Sequence, residues 1–396
     1  MINKLTTQRV LSIDAFRGIT ILVMIFVNEV AGVAGIPSWM KHVGVAEDAM
    51  TFVDVVFPAF LFIVGMSIPF AVNNRLSKGD SFMQLAGHIL WRTIGLLVLG
   101  LFMVNSEDDY NEAAMGMSIH VWTLLFYACA ILVWNVYTFQ QKKISLALKG
   151  IGIAGLIILA FIYRGGKDGT HHMEIGWWGI LGLIGWAYLY ASIIYLLLKG
   201  NIIGIAIMIA VCVLVYIICK LPAIHDSGWD WISPRRGHIA HTSIVLCGIV
   251  LSLIFFNQEK DTPVRHRFIW AGILAAVLFI VATILRPWYE ISKIRATPSW
   301  CLYSAGICCV IFALLYWLID LKQQNSWTAF VRPAAANPLL MYILPSIIYA
   351  LMGLLHLSWP EAFGSGIPGI IWCMVYAVVL IYVVRGLNKL KIRLQL

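Results

Sequence analysis

The chain is a succession of long apolar runs separated by short polar or Gly/Pro-containing breaks. Runs of about 17 residues or more are long enough to cross a hydrocarbon layer. Twelve of them start near Ile19, Phe52, Ala86, Ile119, Leu148, Trp177, Ile202, Ile239, Phe268, Trp300, Asn337 and Ile367. They predict an all-α, polytopic membrane helix bundle of 11 or 12 transmembrane helices. No internal repeat is visible and no linker is long enough to separate independent domains, so residues 1–396 read as one transmembrane domain.

Composition sharpens this picture. Apolar and aromatic residues make up 61% of the chain and charged residues only 12%, with a mean hydropathy of +0.87. A soluble domain carries roughly twice that charged fraction. A soluble enzyme, a secreted disulfide scaffold and a nucleic-acid binder are thereby excluded, and the lipid bilayer is the first partner. The net charge of +9 then matters through its placement, because basic residues gather in cytoplasmic loops. With the N-terminus in the cytoplasm, most of the 28 Lys and Arg residues fall on the inner side. The loop holding Glu107, Asp108, Asp109 and Glu112, which has no basic residue, falls outside. The expectation is a multi-pass protein of the cell (inner) membrane with both termini cytoplasmic. Asp14 and Arg17 interrupt the first apolar run where a cleaved signal peptide needs none. All eight cysteines lie in or beside apolar runs without a CxxC pair, and read as small packing residues.

A charge inside the bilayer costs at least ~2.5 kcal/mol, so each one needs a partner or a task. Asp14 and Arg17, three apart in the first helix, share a face and can pair. Arg17 with Arg92 of the third helix and Arg75 of the intervening inner loop can alternatively form a basic pocket for a phosphorylated ligand, since guanidinium forks match phosphate geometry. Asn28 and Glu29 stand near the outer end of the first helix, ~21 Å beyond Asp14 at 1.5 Å per residue. His42 follows Lys41 in the first outer loop, and an imidazole can take and return a proton at neutral pH. Asp54 opens the second helix on the same side, where a carboxylate either caps the helix or orients an imidazole. His171 with His172, and His238 with His241, lack a third ligand at any recognised spacing, so no metal is expected. Trp177, Trp178, Trp229 and Trp231 flank spans and read as interfacial belts.

These residues form a pattern. SIDAFRGITILVMIFVN from Ser12 to Asn28, then Lys41-His42, then DVVFPAFLFIVGMSI from Asp54 resembles the heparan-α-glucosaminide N-acetyltransferase family of transmembrane acyltransferases. The resemblance is strongest over residues 9–75, with a shorter match in AANPLLMYIL around Asn337. It implies acetyl-CoA as co-substrate, a sugar or glycan acceptor, and catalytic roles for Asn28 and His42. The residues after His42, VGVAEDAMTF, differ from the family's pattern, so the resemblance speaks to the chemistry more than to the acceptor. The expected activity is transfer of acetyl from cytoplasmic acetyl-CoA to an amino or hydroxyl group of an extracytoplasmic hexosamine-type sugar. His42 would be base or acetyl carrier, Asn28 would hold the imidazole or, in an oxyanion-type role, the thioester oxygen, and Asp54 would support the imidazole, with Arg17, Arg92 and Arg75 holding the CoA phosphates. The alternative is a secondary transporter, for which twelve spans is a common layout; transporters tend to place polar groups at the midplane and to show repeats. Partners are acetyl-CoA, the acceptor and the bilayer, with a homodimer as a candidate assembly.

Overall fold

A computed structural model describes residues 5, 9–138, 141–221, 235–258 and 262–396. Trp229 and Trp231 of the expected interfacial belt lie outside them. The main helices in chain order are α1 (Leu11–Val30), α2 (Val53–Ser77), α3 (Phe82–Glu107), α4 (Ile119–Trp134), α5 (Lys142–Ile162), α6 (Gly179–Leu197), α7 (Ile202–Ile218), α8 (Arg236–Phe256), α9 (Val264–Tyr289), α10 (Pro298–Tyr316), α11 (Thr328–Ala336), α12 (Pro338–Leu354) and α13 (Gly366–Lys389). Extended pairing among the described residues is confined to isolated bridges. The protein is an all-α, multi-pass membrane protein.

A helix stands at each of the twelve expected positions, but not all have the same length. Nine of those described are long and apolar enough to cross a membrane. α11 and α12 together make a tenth, bent by 80°. The bend has a local cause: Pro338 disfavours the helical conformation in the residue before it, and Asn337 adopts φ −138° and ψ 60°. The remaining two, α4 and α7, are shorter apolar helices of 16 and 17 residues. Both begin on side-chain caps, Ser118 Oγ accepting from His120 N and Asn201 Oδ1 from Ile203 N and Gly204 N.

The described chain forms two compact units. The first comprises residues 1–20, 37–93 and 184–329. Its centre is α8, with 89% of its apolar window buried, packed against α2, α7 and α10. α2 and α8 touch backbone to backbone. A Cβ at Gly65 would lie 1.9 Å from the Val245 carbonyl oxygen and one at Gly248 2.1 Å from that of Phe62, the close approach that small residues permit between membrane helices. α9 buries only 22% of its window and exposes Trp270, Ile273, Val277, Ile280 and Ile284, as a lipid-facing helix should.

The second unit comprises residues 21–36, 94–183 and 330–396. α4 lies against α5, where Trp122 Nε1 donates to the Leu159 carbonyl at 3.0 Å. α12 packs on α4 and α13. Asn337, fully buried at the bend, donates from Nδ2 to Asn388 Oδ1 at 2.8 Å and to the Ile392 carbonyl at 3.0 Å, and accepts from Leu394 N at 3.1 Å. The Asn of AANPLLMYIL thus ties down the C-terminal segment. All eight cysteines are free, and seven of them are buried.

Candidate active site

Asp54 is in the first turn of α2 and is 1% exposed. The helix N-cap is Phe52, which makes no side-chain cap. The carboxylate is used otherwise: Oδ1 lies 2.7 Å from His42 Nδ1, and Oδ2 receives the backbone N–H groups of Thr51 at 3.1 Å and Val43 at 3.4 Å. The Thr51 hydroxyl closes the turn on the Lys41 carbonyl at 2.9 Å. From behind, Trp300 of α10 donates its indole N–H to the Asp54 carbonyl at 3.1 Å. Beneath this turn Phe57 and Trp300 meet the buried His241 ring edge-on. An ionised carboxylate only accepts hydrogen bonds, so Nδ1 of His42 carries the proton and Nε2 is left as the basic nitrogen.

A third group, which sequence reasoning missed, completes the cluster. Lys293 Nζ lies 3.4 Å from His42 Nδ1 and 3.3 Å from Nε2. Burial lowers the ammonium pKa from its ordinary value, and the Asp54 charge offsets part of that effect. The segment carrying Lys293 is folded on itself: Thr297 Oγ1 donates to the Glu290 carbonyl and receives Ser292 N, both at 3.0 Å, and Arg295 pairs with Glu290. It is clipped to the His42 loop by Asp48, which accepts from Ile291 N at 2.7 Å and from Arg286 Nε at 2.9 Å. Arg295 and Thr297 also line a cavity of about 270 Å³ with Tyr216, Lys220, Trp288 and Tyr289.

The arginines lie farther along the same helices. Arg17 of α1 donates to Ser67 Oγ of α2 at 2.8 Å and stands 3.5 Å from Asp14 Oδ1, while Asp14 is held more closely by Arg9. Ser67 is thirteen residues beyond Asp54, ~20 Å along α2. Arg92 of α3 is near enough to Arg17 for the two charges to repel. It rests on the Tyr188 ring at 4.8 Å, with its Nε buried and unpartnered. Arg75 pairs with Asp80 at 2.7 Å, and His88 feels both Arg75 and Arg92. The first unit thus brings together His42 with Asp54, and Arg17 with Arg92. Asn28 belongs to the second unit; it is exposed, and its neighbour Glu29 accepts from the Tyr349 hydroxyl. Among the described residues no group of three or more His, Cys, Asp or Glu is arranged to hold a metal.

Fold and site together define a multi-pass helical membrane protein with a carboxylate-anchored histidine at a helix entrance. Residues 9–234, more than half of the chain, match the model of the family described as a domain of unknown function, DUF5009. The chain belongs to this family. It is also similar to heparan-alpha-glucosaminide N-acetyltransferase of Homo sapiens, with 39% identity over 98 residues, 24% of this chain and 14% of that protein. The Mus musculus protein of the same name is 36% identical over 101 residues, 25% of this chain and 14% of its own length. The matched region thus spans about a seventh of these curated relatives.

Proposed function

We propose that the protein is an acetyltransferase that moves acetyl from cytoplasmic acetyl-CoA to the amino or hydroxyl group of an extracytoplasmic, hexosamine-type sugar. The observation that carries this reading is the His42–Asp54 pair: a buried carboxylate holds Nδ1 at 2.7 Å and so fixes Nε2 as a proton acceptor. The names of the curated relatives support the choice of acetyl as the transferred group. In the proposed orientation both termini are cytoplasmic and the His42 loop faces the opposite side of the inner membrane.

As the acceptor nitrogen or oxygen bonds to the thioester carbonyl carbon, His42 Nε2 takes the acceptor's proton, and Asp54 steadies the imidazolium so formed. The carbon–sulfur bond then breaks, and the proton passes from His42 to the departing CoA thiolate. The products are CoA thiol and the acetylated sugar. Arg17 and Arg92 are the proposed holders of CoA phosphate, with Arg75 a peripheral contributor because Asp80 already neutralises it. The ~20 Å along α2 between Ser67 and Asp54 is then spanned by the pantetheine arm. A role for Asn28 is proposed on the resemblance alone. The aromatic faces of Trp288 and Tyr289 beside the 290–297 segment offer the acceptor ring a stacking surface.

The test is to incubate purified protein with acetyl-CoA and a panel of amino and neutral sugars, reading free thiol and product mass. Acceptor-dependent thiol release with a matching acetylated sugar is expected; no transfer to any sugar would overturn the reading and favour transport. Orientation is tested separately: a cysteine at Asp109 should label from outside intact cells and one at Lys143 should not. The reverse would place His42 in the cytoplasm.

A further inference from the structure

The transfer steps leave Lys293 without a task. Its ammonium is almost equidistant from the two ring nitrogens of His42, 3.4 and 3.3 Å. In the plane of the ring, that position would collide with Cε1, so Nζ sits over the ring face. The in-plane lone pair of Nε2 is therefore left open to an acceptor, while a positive charge stays within 3.3 Å of it. Any carbonyl carbon attacked by a nucleophile whose proton goes to Nε2 lies only a bond or two farther on.

We propose that Lys293 is a catalytic residue, its ammonium donating to the acetyl carbonyl oxygen as that oxygen becomes an oxyanion. The inference rests on the acetyl-transfer reading. In balanced form, the acceptor–carbon bond forms while the carbonyl π pair moves onto oxygen, where Lys293 meets the negative charge. The pair returns as the carbon–sulfur bond breaks, and Lys293 ends as it began, still protonated.

The surroundings suit a charge reserved for this step. The groups facing Lys293 are His42 from the loop and Asp54 from α2. Asp54 is already engaged by His42 and by two backbone N–H groups. The other charges of the neighbourhood close on one another, Arg286 on Asp48 and Arg295 on Glu290. A preorganised donor in a partly dehydrated site is worth more than one in water, because it need not reorganise as the charge develops. Burial lowers the Lys293 pKa, which gives the role a pH signature: the rate should fall on the alkaline side as the ammonium deprotonates.

The experiment compares wild type, Lys293→Met and Lys293→Arg, with acetyl-CoA binding as the check that each variant is folded. Once the wild type shows transfer, the acetyl-transfer reading stands whatever the variants do. Lys293→Met should bind acetyl-CoA normally yet lose on the order of 10²–10³ in kcat, the range for an oxyanion donor. Lys293→Arg should recover part of that rate and lack the alkaline fall, since guanidinium stays charged. A Lys293→Met protein that binds acetyl-CoA and keeps its kcat within about threefold, an effect far below that range, would overturn the proposal. If Lys293→Met does not fold, Lys293→Arg decides alone, and an alkaline fall unchanged from wild type would equally overturn it.

Discussion

Two regions of the first unit handle charge in opposite ways. Around His42 the carboxylates are each engaged: Asp54 holds the imidazole and two backbone donors, Asp48 holds Arg286 and Ile291, and Glu290 holds Arg295, while Lys293 keeps its ammonium over the ring within the field of Asp54. Around Arg17 and Arg92 cations are in excess. Asp14 is shared between Arg9 and Arg17, and Arg92 has a ring and an unpartnered Nε. A neutralised cluster is equipped to move protons and to meet charge that appears only in a transition state. A cationic cluster with an unmet donor is equipped to bind an anion that is present from the start. The difference separates transfer from binding, and variants at the two places should separate kcat from affinity.

The largest effect is expected at His42. His42→Ala should bind acetyl-CoA with unchanged affinity and lose transfer by on the order of 10²-fold or more, the usual contribution of a positioned base. Asp54→Asn keeps the volume but removes the charge that fixes the tautomer, and should lose activity to a comparable degree. Titration of acetyl-CoA by calorimetry beside a thiol-release assay measures both quantities. A folded His42→Ala protein with near-normal transfer would remove His42 from the mechanism.

A smaller effect of the opposite kind is expected at the arginines. Hydrogen bonds to charged groups contribute ~1.5–3 kcal/mol. Arg92→Gln or Arg17→Gln should therefore weaken acetyl-CoA binding by roughly ten- to a hundredfold, while kcat at saturating acetyl-CoA stays near that of the wild type. Added salt should weaken wild-type binding more than variant binding, because the lost interaction is ionic. Unchanged affinity in Arg92→Gln would return these arginines to a purely structural pairing and dissolve the contrast between the two regions.

How far each region could be read in advance follows from chain distance. The twelve helix positions are local features of hydropathy and stand where the pattern puts them. α4 and α7 are shorter than the long apolar helices, ending at Asn135 and Cys219 after 16 and 17 residues. His42 and Asp54 are twelve residues apart, so a loop returning to the helix it precedes was enough to suggest their meeting. Lys293 is 251 residues from His42 and sits in no motif. Its one signal was indirect: Arg286, Lys293 and Arg295 crowd a segment that the proposed orientation puts outside, where basic residues are normally sparse. Basic residues kept against that tendency have partners to hold, here Asp48, the His42 ring and Glu290. Arg75 shows the converse, since Asp80, only five residues on, takes up the charge assigned to phosphate.

The smallest expected effect tests what holds the neutralised region together. Asp48 joins the His42 loop to the Lys293 segment through Ile291 N and Arg286. Partial burial raises its pKa, but the Ile291 and Arg286 hydrogen bonds and the charges of Arg286 and Arg295 more than reverse this, so its pKa is lowered overall. A carboxyl with a lowered folded pKa stabilises the fold at pH values above its unfolded pKa. That contribution disappears as pH falls through the folded value. Asp48 is 36% exposed, so solvent screening limits the gain to at most about 1 kcal/mol. Asp48→Asn, which still accepts from Ile291 but loses the attraction to Arg286, should therefore be slightly less stable at neutral pH. The difference should vanish below the ordinary carboxylate range. Thermal unfolding of both proteins in detergent across that pH range measures it. In the same variant kcat should fall by a few-fold while acetyl-CoA affinity is unchanged, because the clip positions Lys293 over His42 and touches nothing near Arg17. A stability difference that persists unchanged at acid pH would mean that Asp48 acts through packing rather than charge. The register of the two loops would then have to come from the Thr297 and Thr51 turns alone.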